Sequence, residues 1–113
     1  MQTETRWYHW ISWFFGGLFL ANTIPHLVNG MSGSPFQSPF ATPPGEGLSS
    51  STVNVLWGFF NLVIGYVLVL RVGHFDLESI GDVLALAVGA LLISLFSARH
   101  FGQFHGGNTP ERP

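Results

Sequence analysis

Three stretches of the chain, residues 7–28, 53–70 and 83–98, carry no formal charge and are mostly aliphatic or aromatic. A helix rises ~1.5 Å per residue, so about 20 apolar residues cross a hydrocarbon core of roughly 30 Å. With their interfacial flanks, all three stretches are long enough. The pattern predicts an all-α membrane protein of one domain, with three transmembrane helices in a small bundle at about 6–29, 52–72 and 80–101. Between the first two spans, GMSGSPFQSPFATPPGEGLSSS (30–51) has no helical or strand period. Its four prolines and four glycines forbid a continued helix. It repeats SPF at 34–36 and 38–40, and its phenylalanines are expected to pack on the bundle's end, enter the interface, or form a lid.

Local signals set the boundaries. Ser50, Ser51 and Thr52 offer N-caps for the second helix, and Gly73 stops it. Ser79 or Asp76 caps the third, with Asp82 in its first turn, where the helix dipole favours a carboxylate. That helix should end before Gly102 and fray between His100 and His105, leaving a polar tail at 102–113. Pro25 predicts a kink or an early end in the first helix. The short connection at 73–79 predicts an antiparallel hairpin of the second and third helices.

Composition supports the membrane reading. Only 9% of residues are charged while 15% are aromatic, and there is no lysine. Trp7, Tyr8, Trp10 and Trp13 form an aromatic belt at one interface. A net charge of -2 leaves no basic footprint for nucleic acid. The absence of cysteine excludes disulfides and thiolate metal sites. Glu4 and the bulky aromatics after Arg6 argue against a cleaved leader. Arg6 and Arg71 fall on one side of the membrane and Arg99 and Arg112 on the other, so the positive-inside rule leaves orientation undecided. Small size and the lack of an N-x-S/T acceptor suggest a bacterial inner membrane.

Two sets of residues invite a functional reading. The first is small. Gly58 and Gly65 in the second helix, and Gly81, Ala85 and Gly89 in the third, form stripes that let helix backbones approach closely in lipid. Such stripes serve packing within the monomer, a homo-oligomer or a larger membrane complex. The second is polar. Asn22, His26 and Asn29 share one face of the first helix, and Asn54, Asn61, Arg99, His100 and His105 approach from the other two. Unpaired amides and imidazoles are costly in hydrocarbon, so these groups should face protein or a watery pocket.

Their chemistry is limited. His100 and His105 are five apart, about 140° around a helix, so they do not form a one-face metal pair. His9 and His74 read as surface residues. No nucleophile elbow, phosphate loop or carboxylate pair is present, so neither an enzyme nor a resident cofactor is expected. A non-catalytic accessory or scaffold subunit fits best. One alternative is an oligomeric transporter or channel for a small solute. Another is a component binding haem or a pigment through His26 and His100.

Overall fold

In the computed structural model, which describes residues 4–111, the chain is mostly helical. Its helices are α1 (Trp7–Met31), α2 (Ser51–Leu70) and α3 (Ile80–His105), with strands β1 (Phe36–Gln37) and β2 (Leu48–Ser49) between the first two. All three helices are long and apolar enough to cross a membrane.

Capping explains where each begins. Ser50 Oγ accepts from the Val53 amide at 3.2 Å, and Ser79 Oγ accepts from the Asp82 amide at 3.3 Å. At α1 the Arg6 amide donates to His9 Nδ1 at 3.0 Å, an imidazole doing what a capping-box carboxylate usually does. Two expected helix ends move. Pro25 stays inside α1, which continues to Met31. Gly102 does not end α3: it is buried inside the helix against Asn108, whose side chain folds back to the Arg99 carbonyl at 2.9 Å. The helix stops at Gly106, whose φ of 83° is left-handed.

The expected α2–α3 hairpin does not form. α1 packs against both α2 and α3, so it lies between them. The reason lies in the glycines. Along the antiparallel α1–α2 seam, a Cβ on Gly58 would come within 3.1 Å of the Leu27 amide nitrogen, and one on Gly65 within 3.2 Å of the Gly16 carbonyl. Along the parallel α1–α3 seam the approach is tighter. A Cβ on Gly17 would collide with the Leu86 carbonyl, and one on Gly89 with the Phe14 carbonyl. Gly58, Gly65 and Gly89 therefore serve packing against α1 within the chain. Gly81 differs: it is exposed, and a Cβ there would make only ordinary contacts, 3.9 Å from Ser79 Oγ and Trp10 Nε1, while Ala85 is half-buried beside Trp10 in a shallow groove.

The connector between α2 and α3 crosses over the start of α1. Trp13, fully buried, donates from Nε1 to the Val72 carbonyl at 2.9 Å. Trp10 Nε1 donates to Asp82 Oδ1 at 3.0 Å, and Asp82 Oδ2 accepts from the Asp76 amide at 3.1 Å. His9, expected at the surface, is buried under Gly73, where a Cβ would meet the imidazole at 2.8 Å. His74 is exposed, as the sequence suggests. The start of α1 and the connector share one end of the molecule, and the 32–50 loop and the end of α3 share the other. Arg112, which the charge comparison counts at that second end, lies outside the described residues.

Candidate functional site

The loop between α1 and α2 is a folded cap. β1 and β2 pair antiparallel with Phe36 opposite Ser49 and Gln37 opposite Leu48. Ser38, almost wholly buried, bonds Ser49 Oγ at 2.5 Å, and its carbonyl accepts from the Gly45 amide at 2.8 Å. Inside a bilayer's reach such backbone needs partners of its own, and side chains of α2 and α3 supply them.

Asn54 is the centre of this arrangement. Its Nδ2 faces three backbone carbonyls, those of Phe36 at 3.0 Å, Ser50 at 3.1 Å and Ser49 at 3.2 Å. That fixes the amide's orientation and turns Oδ1 toward His26, whose Nδ1 stands 2.8 Å away. Because Asn54 Oδ1 can only accept, His26 carries its proton on Nδ1. Both side chains are buried, with 2% of His26 and none of Asn54 exposed. Phe36, Trp57 and Phe101 surround the His26 ring, with centroids 5.6, 6.2 and 6.1 Å away.

α3 closes the cap from the other side. His100 Nε2 donates to the Gly45 carbonyl at 2.7 Å. His105 Nε2 donates to Gln37 Oε1 at 2.8 Å, and its ring stacks on Phe36 at 5.1 Å. The remaining polar residues do different work. Asn22 Nδ2 donates to Asn61 Oδ1 at 3.0 Å, tying α1 to α2 below the cap, while Asn61 Nδ2 donates to the Trp57 carbonyl at 2.7 Å. Asn29 turns to its own helix and donates to the Pro25 carbonyl at 2.7 Å. Arg99 offers its carbonyl to Asn108 and is otherwise exposed. The structure thus brings His26, Asn54, His100 and His105 together on the cap, and leaves Asn22, Asn61, Asn29 and Arg99 outside it.

His26 and His100 do not face one another across open space. Phe101 contacts both rings, at 6.1 and 5.1 Å, and His100 Nε2 is committed to Gly45. Among the described residues, no three of the potential His, Asp or Glu metal ligands gather into a group. The buried Trp57 Nε1 has no hydrogen-bond partner among the described residues. Sequence reasoning missed Gln37, Ser38 and Gly45, since nothing in an aperiodic loop marks which groups turn inward. It also missed the Trp10–Asp82 bond, for which an acid at a helix start opposite an interfacial tryptophan was the available signal. No family model, curated protein or solved structure matches the chain.

Proposed function

We propose that this chain is a non-catalytic membrane module, an accessory or scaffold subunit whose α3 docks in the bilayer on a second copy or a larger complex, in a bacterial cytoplasmic membrane. One observation carries the reading: only 11% of the apolar stretch of α3 is buried within the molecule, against 28% for each of the other helices. On its free side Leu84, Val88, Leu91 and Leu95 are all about half exposed. Their spacing of four, three and four residues is the seam by which a helix packs into a neighbouring one.

The polar side chains support the same reading. Asn22, His26, Asn54 and Asn61, which a solute pathway or cofactor pocket would need free, are hydrogen-bonded within the chain. Their work is to hold the chain's own shape.

The chain has no cysteine, so single replacements report proximity without background. Leu84→Cys, Leu91→Cys and Leu95→Cys should cross-link in native membranes, either as homodimers or to a partner, whereas Val63→Cys on α2 should not. Native mass spectrometry in detergent should then show more than one copy or an attached partner. A bare monomer with no cross-linking preference for that row overturns the proposal.

A further inference from the structure

The two seams of α1 differ along their length. Toward α2, contact runs from Gly16 beside Gly65 to Gly30 beside Ser51. Toward α3, the helices touch at Gly17 and Gly89, then part beyond Ala21 around a cleft of about 520 Å³. That volume lies within the roughly 300–1,000 Å³ of small-molecule sites. Ala21, Pro25 and Asn29 line it from α1, and Ser97, Phe101 and His105 from α3.

The lining has no formally charged residue, which disfavours a phosphate head. It is nevertheless not plain hydrocarbon. Proline has no N–H, so Pro25 deprives the Ala21 carbonyl of its helical donor. Asn29 uses Nδ2 on the Pro25 carbonyl and keeps Oδ1 without a hydrogen bond among the described residues. The Ser97 hydroxyl likewise has no hydrogen bond among the described residues. At the mouth, flat rings gather: Phe36 lies 4.6 Å from Phe101 and stacks on His105 at 13°. An apolar slot therefore opens from a rim of rings beside uncommitted oxygens, between two helices long and apolar enough to cross a membrane.

We propose that this cleft binds a neutral, ring-headed prenyl lipid of the quinone class. Its ring sits against Phe36 and Phe101, and its chain runs down the α1–α3 slot toward Gly17. The Ser97 hydroxyl donates to a ring carbonyl, and the Ala21 carbonyl or Asn29 Oδ1 accepts from a ring hydroxyl when the head is reduced. A phospholipid tail would use the slot but leave these groups unsatisfied.

The full chain in phosphatidylcholine nanodiscs, labelled with a short-chain photoreactive ubiquinone and mapped by peptide mass spectrometry, tests this. Labelling should concentrate in residues 21–36 and 93–105, and excess decylubiquinone should suppress it. Ala98→Trp, which fills the slot, should reduce labelling about tenfold, the loss expected when a site loses roughly 1.4 kcal/mol of affinity. Ser97→Ala should reduce it less, and it decides the matter if the tryptophan variant loses helical circular dichroism. Labelling spread over the lipid face of α2, indifference to both substitutions, or retention of phosphatidylcholine without quinone labelling overturns the proposal.

Discussion

The two ends of the molecule solve one problem with different chemistry. At the N-terminal end a nine-residue connector (71–79) is fastened by aromatic side chains: Trp10 to Asp82, Trp13 to the Val72 carbonyl, and the His9 ring under Gly73. At the opposite end a loop of 19 residues (32–50) is fastened by amides and imidazoles: Asn54 and His26 beneath it, His100 and His105 beside it. A short connector has few backbone groups to satisfy, and its rings cover it while the two tryptophans donate one N–H each. A long one exposes many carbonyls, and the two-hydrogen amide of Asn54 reaches three of them. Loop length thus decides what the neighbouring helix end must carry.

This contrast can be broken most severely at Asn54. Asn54→Leu takes a side-chain donor from three carbonyls, of which that of Ser50 keeps the Asn54 backbone amide, and leaves the His26 N–H without its acceptor; it should cost about 4 kcal/mol. Unfolding in mixed detergent micelles measures that loss, and limited proteolysis should then cut within 36–49. Gly89→Ala acts between the ends, forcing a methyl against the Phe14 carbonyl, with an expected cost of about 3 kcal/mol by the same measurement. Trp10→Phe keeps the ring but removes the donor to Asp82. Its expected cost is about 2 kcal/mol, with faster hydrogen exchange at 72–79 and unchanged exchange in the cap. His100→Ala should be mildest, about 1 kcal/mol, with faster exchange confined to residues 44–47. Because the ends share no partner, the Asn54→Leu and Trp10→Phe costs should add within about 0.5 kcal/mol. A larger deviation would show that the two fastenings communicate through α1.

Much of this architecture was legible beforehand, for identifiable reasons. Uncharged length alone marked the three helices, and Ser50 and Ser79 marked two of their starts through the hydroxyls that cap them. The placing of His26, Asn54, His100 and His105 at one end followed from counting spans. What they hold did not follow, because a proline-rich loop carries no period from which to read its inward groups. The position of α1 between its neighbours was hidden too. Connection length speaks for pairing α2 with α3, but Gly17 and Gly89 allow α1 and α3 to meet backbone to backbone, a term visible only in three dimensions. His9 was misplaced because interfacial polarity and a buried helix cap look alike in one dimension.

The central position of α1 also has a consequence for biosynthesis. Of the three helices, α1 is made before α2, and its polar groups are answered by the later one: Asn22 waits for Asn61, and His26 waits for Asn54. Until α2 follows, α1 holds an amide and an imidazole unmatched among lipid tails, which favours keeping it beside the insertion machinery. When α2 arrives, both groups are matched at once, so the pair leaves together and α3 joins a platform already made.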